Sequence, residues 1–174
     1  AVALVVEREL DLDAPQFLVD DARSALALCA ANFYGTPSRK LDVVGITGTN
    51  GKTTTCFLVE HLVRHVGKRA GLIGTVECHV ADEVCPSLHT TPESRDFQAL
   101  LARMVDADVD VCACEVSSHA LDLGRVKGTY FAVAAFSNLT QDHLDYHKTM
   151  EDYFAAKARL FTEYEPAACV ICTD

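Results

Sequence analysis

Short and long apolar segments alternate along the chain, and their periodicity predicts strands alternating with helices. Runs rich in Val, Ile and Ala are typical of buried strands, and we expect strands at residues 2–6, 41–47, 70–76, 109–116, 131–137 and 168–172. Amphipathic spacing predicts helices at residues 19–33, 53–66, 92–105 and 151–164. This order predicts an α/β fold with a mostly parallel sheet, flanking helices and a site at the carboxyl ends of the strands.

The polar segment GTPSRK at residues 35–40 interrupts this pattern, and we interpret it as a domain boundary. Residues 1–40 would then end one α/β domain, and residues 41–174 would begin a second one. Strand-like runs stand at both ends of the chain, so we expect a piece of a longer protein. Residues 77–89 show no clear pattern and remain unassigned. In the helix at 53–66, we expect the stripe of Val59, Leu62, Val63 and Val66 to face the sheet.

Composition excludes several classes of protein. With 174 residues, 49% of them hydrophobic, the chain can fold rather than remain disordered. A net charge of −10 without a basic run argues against nucleic acid as a partner. No apolar run approaches the roughly 18–20 residues that cross a bilayer, and the acidic start AVALVVERELDLD is unlike a signal peptide. We therefore expect a cytoplasmic protein without a membrane partner.

The eight cysteines fit the same interpretation, because most lie inside apolar helix or strand patterns. We expect them to be buried small hydrophobes in a reducing compartment rather than a disulfide framework. The pair Cys169 and Cys172 forms a single CxxC in an apolar strand, which favours packing over zinc binding. His61 and His65 are one helical turn apart but lie off the apolar stripe, so we expect them to be solvated.

The strongest local signal is VVGITGTNGKTTT at residues 43–55, which combines a strand, a glycine-rich turn, Lys-Thr and a helix. This layout directs backbone N–H groups and a helix N-terminus at a phosphate. Gly48 and Gly51 allow close approach, Lys52 would reach the β- and γ-phosphates, and the Thr53 hydroxyl would bind Mg²⁺. The strict Walker A pattern has glycine where Ile46 stands. A turn that binds nothing is the alternative, and we favour nucleotide binding.

Such a loop needs an acidic residue at the end of a neighbouring strand to hold the metal. The run VCACE at residues 111–115 is a buried strand pattern that ends in Glu115. A simple charge at a strand end is the alternative. The phosphate loop makes Glu115 the better candidate for a metal ligand.

Lys157 interrupts an apolar helical face. Tyr153, Leu160, Phe161 and Tyr164 recur at helical spacing around it. A desolvated lysine tends to lose its proton, and the neutral amine can react with CO₂. The alternative is a lysine whose stem covers apolar surface while its ammonium reaches water. The pattern alone leaves both possibilities open.

Four motifs together resemble the Mur ligase family: GTNGKTT (48–54), HTTP (89–92), EVSSHAL (115–121) and NLTQDHLDYH (138–147). The resemblance runs from about residue 41 to the end of the chain, and it is strongest to the branch that adds the third amino acid of the peptidoglycan stem peptide. It implies an ATP-dependent amide ligase that forms an acyl phosphate. It also implies that residues 1–40 end a uridine-nucleotide-binding domain, that this chain alone is inactive, and that the enzyme is a monomer.

The resemblance also assigns roles to residues. Residues Gly48, Thr49, Asn50, Gly51, Lys52, Thr53 and Thr54 would bind ATP. Thr53 and Glu115 would hold one Mg²⁺, while His143 and Lys157, as a CO₂-derived carbamate (N6-carboxylysine), would serve a second. Lys52, Glu115, His143 and Lys157 would thus be the catalytic set.

On the substrate side, the resemblance implies that Thr90, Thr91, Ser117 and Arg125 contact UDP-MurNAc-L-Ala-D-Glu. Thr90 and Thr91 precede a predicted helix start, so N-capping is an alternative or additional role. His119 could equally be a structural turn residue or a ligand. The third amino acid, meso-diaminopimelate or L-lysine, stays open. Two other functions remain: a folylpolyglutamate synthetase-like ligase, and a nucleotide-binding module without ligase activity.

Overall fold

The computed structural model describes residues 2–173, in which strands and helices alternate. The strands are β1 (Leu4–Val6), β2 (Gln16–Leu18), β3 (Asp42–Thr47), β4 (Ala70–Ile73), β5 (Glu77–Val80), β6 (Glu83–Pro86), β7 (Val111–Glu115), β8 (Val133–Phe136) and β9 (Ala168–Ile171). The helices are α1 (Ala22–Phe33), α2 (Lys52–His65), α3 (Ser94–Asp106), α4 (Ser118–Asp122), α5 (Leu144–His147) and α6 (Met150–Thr162). A 3-10 turn spans Pro37–Arg39.

Seven strands form the central sheet in the order β6-β5-β4-β7-β3-β8-β9. The strands from β4 to β9 in this order pair in parallel, whereas β5 and β6 pair antiparallel at one edge. Strands β1 and β2 form a separate small parallel sheet. The prediction of a mostly parallel α/β sheet is confirmed. None of the helices within residues 2–173 has the length and apolar composition needed to cross a bilayer.

Alternate residues of the central strands build two apolar layers of different size. The larger lies under α3 and α6 and contains Val43 of β3 with Leu101 and Met104 of α3. The smaller lies under α2 and contains Ile46 of β3 and Cys56 of α2. Because β3 is covered on both sides, it is the continuous hydrophobic run that parallel sheets typically contain. This double cover fixes the loop that follows Thr47.

The predicted strands and helices form with shifted ends. The segment 77–89, which had no assignment, contains the β5–β6 hairpin, and β2, α4 and α5 were not predicted. Helix α1 starts at Ala22 rather than at residue 19, because the side chain of Asp21 accepts a hydrogen bond from the Arg23 backbone N–H and caps the helix. Helix α1 then packs on α3, where Arg23 lies 2.7 Å from Glu93.

The predicted stripe on α2 is correct only in part, because Val59 packs against the smaller layer and Val63 is half-buried. Leu62 and Val66 are 62% and 70% exposed, whereas Cys56 and Glu60 are buried against the sheet. The Glu60 carboxylate lies 2.6 Å from His79 Nδ1 of β5 and accepts a hydrogen bond from Arg64 at 3.1 Å. These partners compensate a buried charge, and hydrophobic periodicity along one helix cannot reveal a partner on another strand. His61 and His65 are exposed, as predicted.

The expectation for the cysteines is correct only in part. All eight thiols are free, and Cys56, Cys78, Cys112 and Cys114 are buried. Cys29, Cys169 and Cys172 are exposed. The prediction that the CxxC is packed is therefore wrong, because the whole of β9 is exposed.

Candidate active site

The loop between β3 and α2 forms a cradle whose two glycines differ in their surroundings. Gly48 has φ +140°, and a Cβ there would lie 2.0 Å from Ser137 Oγ. Gly51 has φ +85°, and a Cβ there would meet nothing within 4 Å. Gly48 is thus required by the close approach of the neighbouring loop, whereas Gly51 faces open space at the start of α2. That open space, bordered by backbone N–H groups at a helix N-terminus, suits an anion.

A second loop, which follows β8, holds the cradle from the side. The backbone N–H of Thr49 donates to the Asn138 carbonyl at 2.9 Å, and that of Asn50 donates to Asn138 Oδ1 at 3.0 Å. The Thr49 hydroxyl lies 3.2 Å from the Tyr153 hydroxyl of α6. These bonds hold the loop in its conformation without a ligand. Thr54, the last residue of the predicted set, is exposed in the first turn of α2.

Two lysines converge on one carbonyl oxygen of the cradle. Lys52 Nζ donates to the Gly48 carbonyl at 3.0 Å, and Lys157 Nζ donates to the same oxygen at 2.7 Å. Lys157 is only 1% exposed and lies 4.3 Å from the centre of the Tyr153 ring. The alternative in which its ammonium reaches water is thereby excluded in this conformation. The predicted position of Lys157 in a buried helical stripe is confirmed.

Burial lowers the pKa of both amines. Burial, followed by repulsion from Lys52, lowers the pKa of Lys157 to about 7, although Asp142 opposes the shift. Burial also lowers the pKa of Lys52, against attraction from Glu115 and Asp142. Near neutral pH, Lys157 is therefore present in part as a neutral amine, which is a nucleophile.

Glu115 stands at the end of β7 and faces the first turn of α2. Its Oε1 accepts a hydrogen bond from the Thr53 hydroxyl at 2.9 Å and from the Thr75 backbone N–H at 2.7 Å. Glu115 is 1% exposed. Parallel pairing of β3 with β7 brings the two strand ends together, which is why residues 62 positions apart meet here.

The Thr53–Glu115 pair is chemically suited to magnesium. A hydroxyl and a carboxylate are hard oxygen ligands, and Mg²⁺ commonly takes one or two protein ligands with phosphate and water completing its octahedron. Within residues 2–173, no group of three or more His, Cys, Asp or Glu side chains is placed to hold a metal by itself. The donor set therefore fits a metal that arrives with a phosphate ligand.

His143 follows Asp142 and lies at the start of α5 with φ +52°. Its Nε2 is 3.5 Å from the Asp142 carboxylate, and its ring centre is 6.1 Å from that of Tyr153. Tyr153 also contacts Lys157, so His143 borders the same side of the cradle. His119 belongs to this region too, since its ring centre lies 4.9 Å from that of His143. His119 is in helix α4, not in a turn.

The four predicted substrate residues lie around the carboxyl ends of β4 and β7. The Thr91 hydroxyl donates to the Glu115 carbonyl at 2.8 Å and accepts from the Ser117 backbone N–H at 3.1 Å. Arg125 donates to the Thr91 carbonyl at 3.2 Å. Thr91 is fully buried and is a bracing residue for the loop. The capping alternative is wrong for both threonines, because α3 has Glu93 at its N-cap and no side-chain cap.

Thr90 is placed differently from Thr91. Its hydroxyl is 3.0 Å from that of Thr75, which in turn lies 3.1 Å from Glu115 Oε2. The guanidinium of Arg125 has Nη2 at 2.9 Å from Glu93, while its Nε is buried without a partner. Thr90 and Arg125 therefore hold polar groups toward the same edge of the sheet as Thr53 and Glu115.

Sequence reasoning missed several residues of this site. Thr75 bonds Glu115, Tyr153 joins the cradle to Lys157, and Asn138 braces the loop. Asn138 belongs to the NLTQDHLDYH motif, but the sequence assigned it no role. Thr75 lies near the carboxyl end of the strand predicted at residues 70–76, at the same sheet edge, and that position was the available signal.

Comparisons with known proteins find one matching family model and several relatives. A model of the Mur ligase middle domain matches residues 46–174. The chain is 53% identical over 163 residues to UDP-N-acetylmuramoyl-L-alanyl-D-glutamate--2,6-diaminopimelate ligase of Geobacillus kaustophilus (strain HTA426), covering 94% of this chain and 33% of that protein. The corresponding protein of Aquifex aeolicus (strain VF5) is 47% identical, covering 100% of this chain and 36% of its own length.

Among solved structures, that of a UDP-N-acetylmuramoyl-L-alanyl-D-glutamate--2,6-diaminopimelate ligase matches with a TM-score of 0.84 at 31% identity, covering 97% of this chain and 34% of that one. Mycobacterium tuberculosis folylpolyglutamate synthase, complexed with ADP and AMPPCP, matches with a TM-score of 0.64 at 19% identity, covering 85% of this chain and 41% of that one. The second likeness shows a shared fold alone. The chain spans about a third of the length of the curated relatives it matches.

Proposed function

Because the chain belongs to the Mur ligase family through its middle domain, we propose that it is the ATP-binding part of an amide ligase of the UDP-N-acetylmuramoyl-tripeptide synthetase type. Such an enzyme adds the third amino acid to UDP-N-acetylmuramoyl-L-alanyl-D-glutamate during peptidoglycan synthesis, which supports cell shape and division. We propose 2,6-diaminopimelate as that amino acid, since the relatives at about half identity are named for it. The protein would act as a monomer in the cytoplasm, with residues 1–40 closing a uridine-nucleotide-binding domain.

The observation that carries the nucleotide part of this proposal is the contact of Thr53 with Glu115 at 2.9 Å beside an open glycine cradle. Within residues 48–54, Thr49 and Asn50 would keep the loop in shape, and the phosphates would bind to the backbone N–H groups at the start of α2, the Thr54 side chain and Lys52. Lys52 donates to two loop carbonyls, at 3.0 and 2.8 Å, and would exchange these for phosphate oxygens. An ammonium that only has to turn over the loop needs little reorganisation to stabilise developing charge.

Thr53 and Glu115 would hold one Mg²⁺, which when bound supplies positive charge against the β- and γ-phosphates. Thr75 keeps the Glu115 carboxylate in place through its backbone N–H at 2.7 Å. One carboxylate oxygen, Oε2, faces only the Thr75 hydroxyl at 3.1 Å, and it would remain available as a ligand.

Lys157 would react with CO₂ as its neutral amine: a C–N bond forms, one N–H proton leaves, and an anionic carbamate results. Support comes from burial, from the pKa of about 7, and from Lys52, whose positive charge would then face an anion rather than a second cation. The carbamate and His143 would serve a second Mg²⁺ near the acyl phosphate. Lysine burial explains why an amine is deprotonated there at all.

The substrate carboxylate would be phosphorylated at the mouth of the cradle, and the incoming amine would then displace phosphate from the acyl phosphate. Thr90 and Arg125 would orient the dipeptide substrate, with Thr91 and Ser117 fixing the loop that carries them. The guanidinium of Arg125, whose Nη2 pairs with Glu93 at 2.9 Å, is of the kind that binds a carboxylate or phosphate oxygen.

A folylpolyglutamate synthetase-like ligase is the second candidate, because that class shares the fold. The HTTP and EVSSHAL motifs favour the muramoyl-peptide substrate. A third possibility, a nucleotide-binding module without ligase activity, applies to the 174-residue chain alone.

The nucleotide part is tested by isothermal titration calorimetry of this chain with ATP and Mg²⁺. We expect saturable binding that Lys52→Ala weakens at least tenfold, because one charge-assisted contact is lost (about 1.5–3 kcal/mol). Lys68→Ala, which changes an exposed lysine beyond α2, is the matched control and should bind normally. Equal affinity for the two variants would contradict the assigned role of Lys52.

The ligase part is tested by phosphate release from a full-length protein that carries this chain. Release should require both UDP-MurNAc-L-Ala-D-Glu and 2,6-diaminopimelate, whereas dependence on a folate and glutamate would favour the second candidate. Lys157→Ala should abolish activity, and bicarbonate or acetate should restore part of it by supplying an anion in the vacated space. Full activity of Lys157→Ala would overturn the carbamate proposal.

A further inference from the structure

Two cysteines face each other across the β5–β6 hairpin, outside the site described above. Cys78 and Cys85 are direct partners in the antiparallel register, and both thiols are free. Opposite residues of an antiparallel pair have Cα atoms about 4.5–5.5 Å apart and side chains on the same face. Disulfides form at Cα separations of about 4.4–6.8 Å. The hairpin therefore places these two thiols within bonding range.

The CxxC at the end of the chain is a weaker candidate, despite its motif. Cys169 lies in β9, and Cys172 lies three residues further along an extended segment. Three residues of extended chain span about 10 Å and point their first and last side chains to opposite faces. That separation exceeds the range in which a disulfide closes without backbone movement.

The two thiols of the hairpin pair differ in burial and in their neighbours. Cys78 is 2% exposed, and burial raises the pKa of its thiol. Cys85 is half-buried, with Arg103 Nη2 of α3 at 3.5 Å from its Sγ. Glu83 lies 3.5 Å from the same sulfur, but it also pairs with Arg103 at 2.9 Å. The thiolate is the reactive form of a cysteine, and Cys85 is the member of this pair that solvent reaches.

Oxidants in solution can reach this pair. Both cysteines line an open cavity of about 580 Å³ between the hairpin and α3, which Arg103 also borders. A small peroxide therefore reaches Cys85 directly, and the oxidised sulfur then faces Cys78 across the strands.

We propose that Cys78 and Cys85 form a redox-active dithiol, which hydrogen peroxide oxidises to a disulfide across the hairpin. The Cys85 thiolate attacks one peroxide oxygen, the O–O bond breaks, and a sulfenic acid and the first water form after proton uptake. The Cys78 thiol then attacks the sulfenic sulfur, the S–S bond forms, the S–O bond breaks and the second water leaves. Two thiols lose two electrons, and one peroxide is reduced to two waters.

The oxidation site also borders the loop that holds Thr90 and Thr91. Ser87 follows β6 directly, and its hydroxyl donates to the Gly74 carbonyl at 2.6 Å. A covalent bond between the strands would restrict the hairpin that anchors this loop. We expect slower amide hydrogen exchange at residues 77–90 in the oxidised chain. The chemistry of the pair does not depend on the proposed function.

The experiment treats the whole chain with hydrogen peroxide, blocks remaining thiols under denaturing conditions and digests it with a protease that cleaves after glutamate. Cleavage after Glu77, Glu83 and Glu93 separates the cysteines into peptides 78–83 and 84–93. We expect these two peptides to be joined by a bond that a reductant opens. Peroxide-treated Cys29→Ser, which removes an exposed cysteine elsewhere, should give the same linked pair.

Cys85→Ser should abolish the linked peptides and leave Cys78 as a blockable thiol. Circular dichroism confirms that each variant is folded. The proposal is overturned if Cys85 oxidises to the sulfinic acid or pairs elsewhere while Cys78 stays reduced. Resistance of both thiols to peroxide would overturn it equally.

Discussion

The apolar layer under α3 and the carboxyl edge of the sheet are built from the same strands on opposite principles. Under α3, Phe97, Leu101 and Met104 are fully buried and pack on strand residues without polar groups. At the carboxyl edge, Glu115 and Lys157 are each 1% exposed, and they need partners to compensate their burial. The apolar layer therefore stabilises the fold, whereas the carboxyl edge lowers its stability because charged groups are held away from water.

Helix α6 shows how close together the two regions lie. Leu160 enters the apolar layer, while Lys157, one turn earlier on the same face, bonds the Gly48 carbonyl. A single buried stripe thus begins in the site and ends in the core. The comparison predicts that shortening an apolar side chain in the core lowers the stability of the protein. It also predicts that replacing a buried charged side chain at the carboxyl edge by an apolar one raises the stability.

The largest expected effect is in the core. Leu101→Ala should lower the free energy of unfolding by about 2–5 kcal/mol, because it loses buried apolar contacts and leaves a cavity. Leu62→Ala on the exposed face of α2 is the matched control and should change it by less than about 0.5 kcal/mol. Urea denaturation of the two variants measures both values. Similar losses for both would mean that α2 is covered in solution on its outer face.

The core was largely predictable from the sequence, and the edge only in part. The strands β3 and β7 can be located because a strand covered on both faces is a continuous apolar run. Helix α6 can be located because its apolar residues recur with a period of 3.6. The glycine loop and Lys157 stand out because each breaks such a pattern. Glu60 of α2 does not, since its burial depends on His79 of the unassigned hairpin. Contacts between side chains distant in sequence leave no local periodicity.

The second prediction changes the charge at the edge. Lys157→Met should raise the free energy of unfolding near pH 7 by about 1–4 kcal/mol, because an apolar side chain of similar length replaces a buried amine. The Gly48 carbonyl keeps a donor, since Lys52 remains 3.0 Å away. Thermal unfolding of Lys157→Met, with exposed Lys68→Met as control, gives the difference. A loss of stability would show that the lysine contacts outweigh the cost of its burial.

The pH dependence of stability tests the same point with a definite sign. The pKa of Lys157 is about 7 when folded, against 10.5 as the ordinary value. Between these values the unfolded chain binds more protons, so this group makes stability rise with pH; below about 7 it adds no slope. Lys157→Met should remove that rise, and Lys68→Met should keep it. An unchanged slope in Lys157→Met would mean that other groups cause it.

The smallest expected effects separate two glycines within the edge itself. Gly48→Ala forces a Cβ to within 2.0 Å of Ser137 Oγ and 3.0 Å of the Asn138 backbone nitrogen, at φ +140°. Gly51→Ala keeps only the conformational strain of φ +85°, because its Cβ meets open space. We expect losses of about 1–3 kcal/mol for Gly48→Ala and about 1 kcal/mol for Gly51→Ala in urea denaturation. In the calorimetric titration with ATP, we expect Gly51→Ala to lose affinity as well as Gly48→Ala, because the Gly51 methyl projects into the space proposed for phosphate. If Gly51→Ala bound ATP as well as the unchanged chain, that space would not be the phosphate site, and the edge would lose its functional contrast with the core.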